Sequence, residues 1–136
     1  MENPEYLHYT VYKAFRRNEN YDLVSVVMDR KARVTYYEDE TATAPEWLAE
    51  KGHHLTAFDE IWSAIEFAAN AFIADDVEIW SCSASNPVSL PVFCKLPMLD
   101  DGEFEPVTKQ DHSWPDGTVM FKYIKPIAPR ITVHAQ

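Results

Sequence analysis

Glycine and cysteine are scarce in this chain, and their scarcity excludes several kinds of site. The 136 residues contain 3 glycines and 2 cysteines. A phosphate cradle needs several glycines, because backbone amides must approach the phosphate closely, and no glycine-rich, GxSxG or HExxH motif occurs in the sequence. Cys82 and Cys94 lie outside any CxxC pair, so we expect two buried, reduced thiols rather than a disulfide framework.

Long apolar runs are also missing. No stretch approaches the ~20 apolar residues of a membrane span, and residues 1–20 contain no apolar run of signal-peptide length. The sequence therefore predicts a cytoplasmic protein without a membrane partner.

Positive charge is the third shortage. The chain has 22 acidic and 12 basic side chains, which give a formal net charge of −10. The first 33 residues are nearly balanced, with six basic and five acidic side chains, so the acidic excess lies in the remainder. A field of this sign repels nucleic acid and favours a basic or nucleic-acid-binding protein as partner, although an acidic surface more often serves solubility alone.

What the chain does contain is enough apolar material for a core. Its hydrophobic content is 46% and its aromatic content 13%, which is too much for a disordered segment. Residues 6–16, 23–28 and 32–38 have the composition of strands and are separated by two short turns, which favours an antiparallel meander. Further strands are predicted at 54–58, 77–83, 118–125 and 130–134.

One strong helix is predicted over about residues 60–73. Asp59 suits its N-cap, and a wide apolar stripe follows at helical spacing, which predicts that Trp62 lies in the core. The members of this stripe are Ile61, Trp62, Ile65, Ala68, Ala69, Phe72 and Ile73. A shorter helical segment is predicted at 44–50. The sequence thus predicts a single α+β domain over 1–136, an antiparallel sheet of about five to seven strands with one main helix packed on it.

Aromatic and basic residues beside predicted turns form one candidate site. Loop tryptophans often line a pocket or an interface, and arginines can bind an anionic group. The candidate ligand-binding residues are Trp47, His54, Trp114, Arg16 and Arg17. They favour a small-ligand or nucleotide-binding protein, although such tryptophans equally often cover a small core.

Acidic turns form a second candidate site. The candidate protein-interaction residues are Glu38, Asp39, Glu40, Asp100, Asp101, Glu103 and Glu105. A surface of this charge can imitate nucleic acid and bind a basic protein, and we favour this interaction module by a small margin over the ligand-binding alternative. Solvated turns are the commoner role of such clusters. The sequence leaves a homo-oligomer open.

The histidines predict no metal site. His53 and His54 are adjacent, and neighbours on a strand point to opposite faces, so the two cannot readily chelate one metal. The other histidines have no acid or cysteine at ligand spacing. Neither cysteine has a partnered histidine, which a cysteine nucleophile requires. We therefore predict no cofactor and no catalytic residue, and lean towards a protein that is not an enzyme.

Several stretches together resemble a group of small uncharacterised proteins of phages and microbes. The shared pattern is a Phe-Asp pair, an Ala-x-x-Phe-Ala helix, a Glu-Ile-Trp strand and a Trp-Pro-x-Gly-Thr turn. The matching positions are Phe58, Asp59, Ala64, Phe67, Ala68, Glu78, Ile79, Trp80, Trp114, Pro115, Gly117 and Thr118. This resemblance covers most of the chain and implies no activity. Together with the acidic surface, it suggests a viral accessory protein that binds a host factor.

A weaker likeness is to ADP-ribosyltransferase-type folds, in which a His-x-Thr element precedes such a helix. Here the element would be His54 and Thr56. These folds also place a catalytic glutamate on a late strand, whereas Glu103 and Glu105 lie in a predicted turn. The likeness would make the protein an ADP-ribosyltransferase-like enzyme, and it is an analogy of fold alone.

Overall fold

The computed structural model describes residues 7–26, 30–70, 75–95, 104–107 and 114–135. It has the α+β fold that the sequence predicts. Eight strands lie in these residues: Tyr9–Arg17 (β1), Leu23–Ser25 (β2), Thr35–Tyr36 (β3), Leu55–Phe58 (β4), Val77–Pro87 (β5), Phe93–Cys94 (β6), Pro106–Val107 (β7) and Thr118–Val133 (β8). The helices are Glu46–Glu50 (α1), Ile61–Asn70 (α2) and a 3-10 turn at Arg30–Ala32.

Six of the strands form one antiparallel sheet in the order β3-β2-β1-β4-β8-β5, and β6 pairs with β7 separately. The predicted meander of the first three strands is confirmed. Strand β1 also pairs with β5. The strands β1, β4, β8 and β5 therefore close into a ring in which each is paired on both edges.

The interior of this ring holds the largest apolar cluster. Val11 and Phe15 of β1 belong to it, together with Trp80 and Cys82 of β5. Successive side chains on a strand point to opposite faces, and Ala14 accordingly lies in a different cluster that packs against α2. Because every second residue of β1 faces inward, position 13 also points into the ring.

Helix α2 packs on the outer face of the sheet through small residues. Ala64 is fully buried and Ala68 is 6% exposed, whereas Trp62 is 73% exposed. The prediction that Trp62 lies in the core is therefore wrong. Two residues correspond to about 200° of helix rotation, so Trp62 lies on the side away from Ala64. No helix in the described ranges is long and apolar enough to span a membrane.

Strand β8 is longer than the sequence predicts. The two predicted strands at 118–125 and 130–134 form one continuous strand, despite Pro126 and Pro129. Proline lacks the amide donor of a sheet ladder and is tolerated at irregularities. Strand β5 has register shifts at Ile79/Trp80 and Ser81/Cys82, opposite this segment. The predicted strand 23–28 ends at Ser25, because Val26 is already a bend. Residues 27–28 of that prediction, and residues 71–73 of the predicted helix, lie outside the described residues.

A gap in the sheet lies beside the middle of β1. One edge of β1 pairs with β5 through residues 9–15. The opposite edge is shared, because β2 pairs with residues 15–17 and β4 pairs with Tyr12. Between these pairings, at Lys13 and Ala14, β2 and β4 diverge. This divergence opens the wall of the ring next to an inward-facing lysine.

Candidate functional site

Lys13 is a buried lysine at the gap. Its side chain is 6% exposed, and Nζ donates a hydrogen bond of 2.5 Å to the carbonyl oxygen of Thr56 on β4. The same atom lies 5.5 Å from the centre of the Tyr36 ring. Buried lysines are normally paired with a carboxylate. Within the described part of the chain, the ion pairs involve other residues, so no acid there neutralises Lys13.

Burial sets the protonation states of Lys13, Cys82 and Tyr36. It lowers the pKa of Lys13 from 10.5 to about 8, and the nearby Cys82 thiol acts in the opposite direction as a smaller cause. Burial also raises the pKa of Cys82 to about 12 and that of Tyr36 well above its usual range. The thiol and the phenol are therefore neutral at pH 7 and cannot balance an ammonium charge.

A cavity of about 40 Å³, partly open to solvent, fills the gap beside this amine. We call it the Lys13 cavity. Besides Lys13, its lining includes Ser25, Thr56, Phe58, Phe67, Trp114 and Thr118. A water molecule needs roughly 10–15 Å³ by this measure. The cavity thus has room for two or three waters, or for a head group of a few atoms.

Trp114 forms a fixed wall of the Lys13 cavity. It is 5% exposed, and its indole Nε1 donates a 2.7 Å hydrogen bond to the carbonyl oxygen of Cys94. Its ring packs against Phe93 at 5.3 Å and against His53 at 5.5 Å between ring centroids. A tryptophan held on both sides in this way offers a rigid apolar surface.

A second cavity, of about 20 Å³, lies on the other side of Lys13. We call it the His53 cavity. Besides His53, its lining includes Lys13, Ser25, Tyr36, Leu48, His54 and Thr56. Lys13, Ser25 and Thr56 line both cavities. Lys13 therefore borders two small spaces, and one of them has room for a single water.

His53 brings an unpartnered acceptor to the second cavity. The side chain is 1% exposed, and Nδ1 lies 3.0 Å from the carbonyl oxygen of Val92. A carbonyl only accepts, so Nδ1 carries the proton and Nε2 keeps its lone pair. Nε2 has no partner among the described residues. Burial, with a smaller contribution from Lys13, lowers the pKa of His53 to about 4, so the ring is neutral at pH 7.

The residues predicted to bind a ligand only partly converge here. Trp114 lines the Lys13 cavity, and His54 lines the His53 cavity. The amide of His54 donates to Sδ of Met120, and burial lowers the pKa of its ring. Trp47 packs against the buried cluster that contains Trp114 but lies in the lining of neither cavity. Its Nε1 donates to the carbonyl oxygen of Lys31 at 3.2 Å.

The two arginines lie away from the cavities. Arg17 donates to both carboxylate oxygens of Glu78, at 2.7 and 3.1 Å, and to the carbonyl oxygen of Tyr21 at 3.1 Å. The hydrogen bond that Arg17 donates to Glu78 raises the pKa of Arg17. Arg16 and Arg17 are absent from both linings. The two cavities therefore do not bring these arginines into a common cleft with Trp114.

The acidic candidates divide between two sheets. Glu38, Asp39 and Glu40 are exposed in one turn, where the Asp39 amide donates to the carbonyl oxygen of Pro126 on β8. Glu105 is exposed beside the β6–β7 pair. The remaining candidates, Asp100, Asp101 and Glu103, lie outside the described residues. Across the described part of the chain, no three His, Cys, Asp or Glu side chains are grouped to hold a metal.

Sequence reasoning missed the residues at the centre of the site. The signal for Lys13 was present, since it stands between Val11 and Phe15 in an alternating strand and must share their face. His53 was treated only as half of an adjacent pair. Ser25 carries no signal of its own, and the sequence marks Thr56 only as part of the His-x-Thr element with His54. The divergence of β2 and β4 brings both residues to Lys13.

Comparison of the chain with family models, curated proteins and solved structures finds no match. The two resemblances based on sequence patterns therefore stay predictions.

Proposed function

We propose that the protein binds a small molecule whose acceptor head group enters the Lys13 cavity. The observation that carries this proposal is a buried lysine that lines a partly open cavity and whose amino group has one protein acceptor, the Thr56 carbonyl. Burying an ammonium group costs several kcal/mol unless hydrogen bonds and an opposite charge compensate it. Such a cost is typical of functional sites, where stability is given up for activity.

The chemistry of the head group follows from the unfilled donors. A lysine ammonium has three N–H bonds, and one of them is directed at Thr56. Ser25 lines the same cavity and its hydroxyl can donate as well, whereas the Thr118 hydroxyl already donates to the carbonyl oxygen of Pro115 at 2.6 Å. A carboxylate supplies two acceptor oxygens and a negative charge, so it satisfies these donors best.

The body of the ligand follows from the walls. Phe58, Phe67 and Trp114 present apolar surface around the amine, which favours a short aliphatic or flat body. The volume of about 40 Å³ admits only the head group and the first few atoms. We therefore propose a small monocarboxylate rather than a nucleotide as the ligand class.

Thermal unfolding with a series of small ligands tests this proposal. Acetate, propionate and benzoate should raise Tm in a concentration-dependent manner, since a ligand at 100 times its Kd stabilises by about 2.7 kcal/mol. The matching amides should have a much smaller effect. Lys13→Met should abolish the shift, whereas Lys95→Met, at an exposed site, should keep it. Equal shifts in both variants would exclude Lys13 as the binding group.

A protein-binding role for the acidic turn at 38–40 is a second candidate. Its support is the exposure of three consecutive acidic residues. Oδ1 of one of them, Asp39, lies 3.9 Å from Nζ of Lys125. Native mass spectrometry with a defined basic peptide compares the two proposals. A complex that is lost in the Glu38→Gln/Glu40→Gln variant supports the acidic turn. Retention of a small carboxylate without peptide binding supports the Lys13 cavity.

A further inference from the structure

We propose that Lys13 forms an imine with a small aldehyde or ketone that enters the Lys13 cavity. This proposal rests on the proposed ligand site and names a reaction that takes place there. The ligand class would then include oxo acids, whose carboxylate and carbonyl groups lie close together. Three features support this reaction: the burial of Lys13, the unpartnered acceptor on His53 and the second small cavity.

The first requirement is an amine that is neutral for part of the time. An amine attacks a carbonyl carbon through its lone pair, so the ammonium form is unreactive. The Lys13 side chain is enclosed by the strand ring, and no carboxylate of the described residues stabilises its charge. With a pKa of about 8, about a fifth of the amine is neutral at pH 7.4, compared with about one in a thousand for an ordinary lysine.

The second requirement is a water that can carry protons between the amine nitrogen and the carbonyl oxygen. The His53 cavity adjoins Lys13 and has the volume of about one water. The lone pair on Nε2 of His53 is buried and has no partner among the described residues. A water in this cavity would donate to Nε2 and lie next to the amine. It can therefore carry protons between the amine nitrogen and the carbonyl oxygen.

The reaction balances without an oxidant or a reductant. The lone pair of Nζ attacks the carbonyl carbon, and the electrons of the C=O π bond move to oxygen. A proton passes from nitrogen to oxygen through the water, which gives a carbinolamine. The hydroxyl group then leaves as water with the remaining proton of the amine nitrogen, and the nitrogen lone pair completes the C=N bond. The products are one imine and one water.

Reductive trapping on the unmodified protein tests this inference. The protein is incubated at pH 7.4 with acetaldehyde or pyruvate and sodium cyanoborohydride, and labelled lysines are located by peptide mapping. Lys13 should be labelled at least about tenfold faster than the exposed Lys95 and Lys122, because its neutral fraction is larger. This advantage should fall as the pH approaches 10. The rate at Lys13 should have a midpoint near pH 8.

Two variants complete the experiment. Lys13→Arg keeps the charge but cannot form an imine, so it should lose the single fast label. Lys95→Met should keep that label. Circular dichroism establishes that each variant is folded. If Lys13→Arg does not fold, the peptide map of the wild-type protein still decides whether Lys13 is labelled.

The outcomes separate this inference from the proposed function. Labels on Lys95 and Lys122 without Lys13 would overturn the imine. If carboxylates still raise Tm through Lys13 in that case, the proposed function stands alone. If carboxylates have no effect and Lys13 is not labelled, both are wrong. Selective labelling of Lys13 supports the imine, and competition by carboxylates then places the reaction in the proposed binding site.

Discussion

The amino group of Lys13 donates to the carbonyl oxygen of Thr56 across the seam between β1 and β4. These two strands share a single register pair, Tyr12 with Phe58, whereas β1 and β5 share seven. The Lys13 side chain thus links β1 to β4, the neighbouring strands of the ring that share the fewest register pairs. The residue proposed to bind the ligand is also part of the closure of the fold.

The free energy of unfolding should rise between about pH 7.5 and 9 because of Lys13. The pKa of Lys13 is lowered from 10.5 to about 8, so above pH 8 the unfolded chain binds a proton that the folded chain does not. Stability therefore increases with pH, by about 1 kcal/mol between pH 7.5 and 9. Above pH 9 the raised pKa of Cys82 has the opposite effect. Urea unfolding at both pH values measures the rise, and an equal rise in Lys13→Met would contradict it.

Acid should destabilise the protein through His53. Its pKa is lowered from 6.5 to about 4. The stability that the neutral ring contributes is therefore fully present above pH 6.5 and is lost as the pH falls towards 4. The loss should reach about 2 kcal/mol at pH 4.5. His53→Gln should reduce the difference between urea unfolding at pH 7 and at pH 4.5. His134→Gln, at an exposed site where the ring lies 3.4 Å from a carboxylate oxygen of Asp76, serves as the control and should reduce that difference less.

Removing the charge of Glu78 should destabilise the start of β5. The hydrogen bond from Arg17 is the main cause of the lowered pKa of Glu78, and the indole of Trp80 contributes another. Because the pair is partly exposed, Glu78→Gln should cost about 1 kcal/mol at pH 7. The difference from wild type should disappear as the pH falls below 4.5. Glu105→Gln, from a more exposed pair, should change stability less.

Gly117 should tolerate no side chain. Its φ is +84°, and an added Cβ would lie 2.8 Å from Oγ of Ser63 and 2.9 Å from Oδ1 of Asp59. Gly117→Ala should therefore destabilise by about 1–3 kcal/mol, measured as a loss in chemical unfolding. Combining it with Ser63→Ala removes one of the contacts and should recover part of the loss. Full recovery would show that the backbone conformation carries no strain.

Local patterns predicted much of the fold but little of the site. The first three strands and α2 could be found because alternation and helical spacing act over a few residues. Ring closure joins β1 to β5, which lies more than 60 residues later, and no local pattern encodes it. The burial of Lys13 is a consequence of that closure. Trp62 shows the same limit, because the buried side of α2 depends on the sheet against which it packs.

The short strand β2 has a consequence for the rate at which a ligand enters and leaves. Ser25 lines both cavities and ends a strand that β1 holds through three register pairs and β3 through two. Such a short strand, next to the two-residue edge strand β3, opens locally at a lower free energy than the whole fold. We expect ligand residence time to follow this opening, with slower amide hydrogen exchange at Ser25 when a carboxylate is bound. Unchanged exchange at saturating carboxylate would show that entry is ungated and depends on diffusion alone.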